Sequence, residues 1–215
     1  MLDWTKSGVV EIDSPGGTGF VVDEHTIATA AHCVYGKKIN TIYLFDNNNK
    51  PSLTLNSSTI VEYHVPLIYA SSESADYDYA LITVKEDLSD YMCFNLGTVT
   101  DIKNLKSAVS ITGFPGEIVT GDGTKPVNYS VSEHNMYTGN SHIYNSSDKR
   151  LYYDVDTTSG NSGGPVYLTE IYNNKVYYTV IAIHTKSGGD GNYNSGTRIT
   201  AELLKFFNGN PNLQY

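Results

Sequence analysis

Short apolar stretches separated by Gly-, Asn-, Asp- and Ser-rich breaks run through most of the chain, and few of them follow helical spacing. Residues 9–12 and 18–22 read as two strands, with Pro15-Gly16-Gly17 as the turn between them. Residues 26–34 form a small, β-capable run that ends in a histidine. Residues 39–45 read as a strand, 46–51 as a polar turn, and 52–70 as weaker strands. A polar loop from Ser71 leads through Asp78 into the apolar strand 79–84. Residues 86–107 are a polar, irregular connection between two halves. In the second half, strands are expected at 108–114, 151–156, 166–168, 175–184 and 196–200. Strands 166–168 and 175–184 pair around Asn173-Asn174, and 187–192 reads as a flexible loop. Ile199, Leu203, Phe206 and Phe207 recur at helical spacing, with Thr200 as cap and Asn208-Gly209 as stop, so the chain is expected to end in a helix that packs on a sheet.

Composition agrees. The 215 residues include 18 Tyr, with 40% hydrophobic and 17% charged residues, which suits a strand-rich fold with a sizeable core. The net charge of -9 and the absence of a basic cluster argue against nucleic acid or an anionic membrane as partner. No stretch has transmembrane length, and the first residues lack the apolar stretch of a secretory signal. Cys33 and Cys93 are compatible with one disulfide or with two inert thiols. The six histidines show no paired ligand spacing, so neither a metal nor a cofactor is expected; the 188–194 loop lacks the ordered acids of a calcium site.

The stretch with the most chemistry is 157–165, Thr-Thr-Ser-Gly-Asn-Ser-Gly-Gly-Pro. Glycines on both sides of Ser162 permit a tight turn that exposes its hydroxyl. Backbone N–H groups of Gly160 and Ser162 can then converge on one oxyanion. Alone, such a segment is also an ordinary Gly/Ser loop. His32 follows Ala30-Ala31, small residues that leave room for a substrate, although a single His in an apolar run is also compatible with a core role. Asp78 stands at the mouth of a buried strand, where a carboxylate needs a partner such as a histidine N–H. A turn-forming Asp is the alternative, and Asp76 is its rival. Together, Ser162 supplies a nucleophile, His32 its base and Asp78 the group that fixes the imidazole.

Thr29-Ala30-Ala31-His32-Cys33, Asp78-Tyr79-Ala80-Leu81-Ile82 and Gly160-Asn161-Ser162-Gly163-Gly164-Pro165 resemble the three motifs of chymotrypsin-fold serine proteases, in that family's chain order. The resemblance spans residues 8 to about 207. It implies an all-β fold of two six-stranded antiparallel barrels with a C-terminal helix. The barrels are expected at 8–100 and 107–198 and the helix at 199–209, together one protease domain. Asn161 before the serine, Thr157-Thr158, and Ile183-His184 point more narrowly to the bacterial glutamyl endopeptidase branch, to which exfoliative toxins are related. That resemblance implies a pocket in which Thr157 and His184 bind an acidic side chain, hence cleavage after Glu and less well after Asp. A hydroxyl and an imidazole N–H are donors that suit a carboxylate, though a strand-end His can also simply face solvent. Lys186 reads as a surface lysine or as added positive charge beside the pocket.

The branch implies a secreted monomer that acts on proteins or peptides, with a leader or propeptide removed. It also uses the free amine of the mature N-terminus in the pocket, and only a few residues precede the first strand here, so a zymogen awaiting trimming is a further reading. The alternative from another class is a catalytically restricted toxin- or adhesin-like protein that binds a host protein.

Overall fold

In the computed structural model, which describes residues 6–13, 16–102, 105, 107–119, 126–128, 134–186 and 193–209, the apolar runs form two curled antiparallel sheets. The first contains β1 (Lys6–Ile12), β2 (Gly17–Asp23), β3 (Thr26–Thr29), β4 (Thr41–Asp46), β5 (Pro51–Asn56), β6 (Ile60–His64) and β7 (Ala80–Val84). Their order across the sheet is β5-β4-β1-β2-β3-β7-β6. The next strands along the chain are β8 (Asn95–Leu96), β9 (Val109–Gly113), β10 (Glu117–Val119), β11 (Pro126–Asn128), β12 (Tyr137–Ser141) and β13 (Ile143–Ser146). They are followed by β14 (Arg150–Tyr153), β15 (Pro165–Tyr172), β16 (Lys175–Lys186) and β17 (Asn194–Arg198). The second sheet runs β12-β9-β15-β16-β17-β14-β13, while β10 and β11 form a separate hairpin.

The two antiparallel sheets are those expected, but they hold seven and eight strands instead of six each. Residues 51–64 fold into two full strands, and β8 adds a short strand that pairs parallel with β16. Two segments expected as extended are helical. After β3 the chain turns into α1 (Ala31–Val34), because Cys33 and Tyr35 donate backward to Ala30 and Ala31. Leu67–Ser72 forms α2 behind Pro66, a residue that cannot donate to a sheet ladder. The β15–β16 hairpin closes on Asn173 (φ 49°) and Asn174 (φ 59°), two positive φ values that match the twist of the flanking strands. Pro15 of the first expected turn and the 187–192 loop lie outside the described residues.

Each sheet buries one face, and the two faces meet. Phe45 of β4 stacks on Phe114 after β9 at 4.8 Å between ring centroids. The final helix α3 (Ala201–Phe207) starts at Thr200, whose Oγ1 accepts the Leu203 N–H at 3.2 Å. It buries Leu203 and Phe206, and Phe206 packs edge-on against Tyr79, 5.1 Å away, at the entrance to β7. Burying two such side chains stabilises by roughly 1.5–3 kcal/mol each, which ties the chain's end to the first sheet. Cys33 and Cys93 are free thiols. Among the described residues, no helix is long and apolar enough to cross a membrane.

Candidate active site

The seam between the sheets is organised by the turn that carries Ser162. It leaves β14 at Tyr153 and rejoins the sheet at Pro165. Gly160 (φ 99°) and Gly163 (φ 89°) both occupy the left-handed side, where a side chain is strained. Space excludes one as well: a Cβ on Gly160 would lie 2.4 Å from the Phe114 carbonyl, and one on Gly163 would lie 2.0 Å from the Thr18 carbonyl. Thr18 of β2 anchors the turn from the first sheet. Its N–H donates to the Ser162 carbonyl at 2.7 Å, and its hydroxyl donates to the Gly160 carbonyl at 2.8 Å. On the other side, Gly163 N–H donates to the His184 carbonyl (2.7 Å) and His184 N–H to the Gly164 carbonyl (2.9 Å). The turn is thus pinned between β2 and β16.

His32 comes from α1 and Asp78 from the end of the short 3₁₀ turn Ala75–Tyr77. Asp78 is 6% exposed. Its Oδ1 accepts the His32 main-chain N–H at 2.9 Å, and its Oδ2 meets the ring Nδ1 at 2.7 Å. Burial disfavours a charged imidazole, but the hydrogen bond of Asp78, with Cys33 and the Asp78 charge, outweighs it and holds His32 above its ordinary pKa. The His32 side chain stays 34% exposed and Ser162 is half-buried, so both remain accessible. The next residue, Cys33, donates its thiol to the Ser162 carbonyl at 3.6 Å, bringing α1 against the serine turn. Asn161 and Gly163 use their N–H groups within the protein, whereas those of Gly160 and Ser162 have no partner among the described residues.

The two expected pocket residues sit differently. Thr157 lines a cavity of about 880 Å³ with Ile111, Tyr137, Asp154, Asp156 and Asn161. His184 is not part of that lining; it is 1% exposed on β16, with Nδ1 2.7 Å from the Tyr153 hydroxyl. Burial, helped by Arg150 and His32, pushes its pKa down to about 3, so the ring is neutral near pH 7. Lys186 ends β16 and is exposed.

Three residues of the site carry no motif. Thr18 reads in sequence as an ordinary strand residue. Tyr153 is one of many tyrosines, and its depth was not readable. Arg150 is 5% exposed, and its guanidinium donates to the Ala75 carbonyl (2.6 Å), Thr197 Oγ1 (3.0 Å) and Ser195 Oγ (2.6 Å). It ties β14 and β17 to the turn that presents Asp78, and an Arg opening an apolar strand was the available signal. Among the described residues, no three His, Cys, Asp or Glu side chains gather as a metal-ligand set.

The trypsin-like peptidase domain matches residues 17–171, a span that includes His32, Asp78 and Ser162. The chain is 28% identical over 204 residues to the glutamyl endopeptidase of Bacillus licheniformis, covering 91% of this chain and 60% of that protein. It is 28% identical over 204 residues to the extracellular metalloprotease of Bacillus subtilis, covering 93% of this chain and 58% of that one. The chain therefore spans 58–60% of the length of these curated relatives. A solved Glu endopeptidase in complex with MPD superposes with a TM-score of 0.71 at 22% identity, covering 94% of this chain and 89% of its own. An inactivated protease paralogue of the scabies mite superposes with a TM-score of 0.66 at 13% identity, covering 95% and 93%. These two structures share the fold.

Proposed function

The chain belongs to the trypsin-like peptidase family, and from that premise we propose that it is a serine endopeptidase with Ser162 as nucleophile, His32 as base and acid, and Asp78 as the orienting carboxylate. The observation that carries this reading is the double hold of Asp78 on His32, beside a serine turn with two N–H groups that have no partner among the described residues. Ser162 Oγ attacks the scissile carbonyl while His32 Nε2 takes its proton. The Gly160 and Ser162 N–H groups receive the oxyanion. Collapse expels the amine, which takes the proton from His32, and leaves an acyl-enzyme. Water then attacks the ester, again through His32, and frees Ser162. Residues 8–100, 107–198 and 199–209 act together as one protease domain.

We read the preference as Glu, less well Asp, held by Thr157 and His184. Both are neutral donors, and a relative at 28% identity is a glutamyl endopeptidase. Asp154 and Asp156 share the cavity of Thr157, so selection rests on local hydrogen bonds and not on net attraction. The second relative is named for a metal-dependent chemistry at the same identity, so the names alone do not choose; the Ser162, His32 and Asp78 arrangement favours serine chemistry. We read the protein as a secreted monomer acting on proteins or peptides; one relative is named as extracellular.

A structure named as an inactivated protease paralogue has this fold too, so the fold alone does not establish turnover. Fluorophosphonate labelling read by intact mass tests it, with Ser162→Ala as control. One adduct on the wild type and none on the variant is expected; no adduct on either defeats the proposal and favours a restricted binding protein. Profiling on a mixed peptide library tests the preference, which cuts clustered after Lys or Phe would overturn.

A further inference from the structure

Tyr153 on β14 and His184 on β16 are separated by one strand, β17. The residue of β17 between them is Gly196, paired with His184 on one side and with Leu151 on the other. A Cβ there would stand 3.0 Å from the Tyr153 hydroxyl, so the missing side chain leaves the tyrosine room to reach across the strand. Tyr153 is fully buried, and the only hydrogen-bond partner of its hydroxyl among the described residues is Nδ1 of His184 at 2.7 Å.

This isolation decides the direction of the bond. Burial keeps the tyrosine protonated, and its O–H proton has one acceptor within reach. If Nδ1 carried the hydrogen and donated, the phenol proton would be left buried without a partner, an arrangement proteins avoid. A neutral imidazole has one hydrogen to place. With Nδ1 accepting, that hydrogen sits on Nε2, which has no partner among the described residues. Burial keeps the ring neutral, and Arg150 helps: it is a buried cation whose guanidinium donates, among the described residues, to neutral oxygens, and its field opposes an imidazolium.

We propose that Tyr153 is a positioning residue for specificity: its hydroxyl donates across Gly196 to Nδ1 of His184, fixes the Nε2–H tautomer, and so presents one N–H donor to an acidic side chain of the substrate. The proposal rests on the glutamyl reading of the pocket for its consequence, but not for the tautomer itself. A neutral Nε2–H donates to a carboxylate or an amide oxygen, and the wrong tautomer would set a lone pair against the carboxylate.

The test is ¹⁵N NMR of the whole chain with labelled histidine near neutral pH, for wild type and Tyr153→Phe, which keeps the ring and removes the hydroxyl. The wild type should show His184 protonated on Nε2 alone, and the variant a mixture of tautomers. Kinetics on paired Glu and Gln peptides should show KM for the Glu peptide rising about tenfold in the variant with kcat little changed. A wild-type ring protonated on Nδ1 overturns the proposal, and this reading needs no variant to fold. A variant with an unmoved tautomer overturns it equally. A wild type indifferent to Glu defeats the glutamyl reading alone, since the tautomer is read independently.

Discussion

Asp78 holds His32 twice, through the main-chain N–H at 2.9 Å and the ring Nδ1 at 2.7 Å. One contact fixes where α1 sits and the other fixes how the ring is turned. Asn at position 78 can still accept the main-chain N–H with its oxygen. Its NH₂ then faces Nδ1 and forces the hydrogen onto Nε2, the atom that must take the proton of Ser162. Asp78→Asn should therefore lower kcat by about 10⁴-fold while melting within a few degrees of the wild type. Steady-state kinetics and calorimetry check this; near-normal turnover would remove Asp78 from the triad.

The same contact sets a pH dependence. Against burial, the Asp78 hydrogen bond, with Cys33 and the Asp78 charge, raises His32 above its ordinary value of 6.5. A histidine with a raised folded-state pKa contributes stability that is complete below the unfolded value and is lost as pH rises through the folded one. Catalysis needs the neutral ring, so activity appears over the range in which that stability fades. The kcat/KM profile should rise through a single ionisation above 6.5, and Asp78→Asn should move it downward. An ionisation below the ordinary histidine value in the wild type would contradict the assignment.

Gly163 and Gly36 separate conformation from space. Both have positive φ, 89° and 66°. A Cβ on Gly36 meets nothing within 4 Å, whereas one on Gly163 meets Thr18 O at 2.0 Å and Thr29 Oγ1 at 2.2 Å. Gly36→Ala should cost only the backbone penalty of about 1–2 kcal/mol. Gly163→Ala should cost more than about 4 kcal/mol and abolish labelling of Ser162. Equal melting temperatures for the two variants would show that the serine turn is not tightly packed.

Arg150 offers a test of how the sheets are joined. Its Nη1 reaches the Ala75 carbonyl and Thr197, and its Nη2 reaches Ser195. Lysine keeps the charge but not the planar fork. Arg150→Lys should lose about 2–3 kcal/mol of stability and some activity with it, since the turn before Asp78 loses its anchor. Denaturant titration beside kcat reads both, and an unchanged midpoint would assign the anchoring elsewhere.

The three motif residues were legible because each depends on its own neighbours. Glycines around Ser162, alanines before His32 and the polar-to-apolar step at Asp78 are features of a few adjacent residues. Most strands were legible for the same reason, through apolar runs bounded by turn residues. The helix at Leu67–Ser72 was not, because a short apolar run such as Leu67-Ile68-Tyr69 has no periodicity that separates helix from strand. The contacts of Tyr153 and Arg150 depend on which strands lie side by side, and β14 reaches His184 only across a strand more than 40 residues later. The Thr18 anchor on the serine turn, at a separation of 142 residues from Gly160, is equally invisible in local sequence.

His184 predicts an acid instability opposite in sense to that of His32. Burial, with Arg150 and His32, lowers its pKa from 6.5 to about 3. Between those values the unfolded chain binds a proton that the folded chain refuses, so stability falls as pH is lowered through this window. Above 6.5 both states are neutral at this site and the effect is absent. Carboxylates titrate in the lower part of the same window, so the wild-type curve alone does not isolate the histidine. His184→Gln does: glutamine has no such ionisation and still offers an N–H. The variant should be less stable than the wild type near neutral pH, through lost packing against Tyr153, and the gap should narrow steadily as pH falls toward about 3. Melting temperatures of both proteins across that range decide it. Parallel curves would mean that His184 is protonated in the folded protein as readily as in the unfolded chain, and the neutral donor argued for the specificity pocket would fall with it.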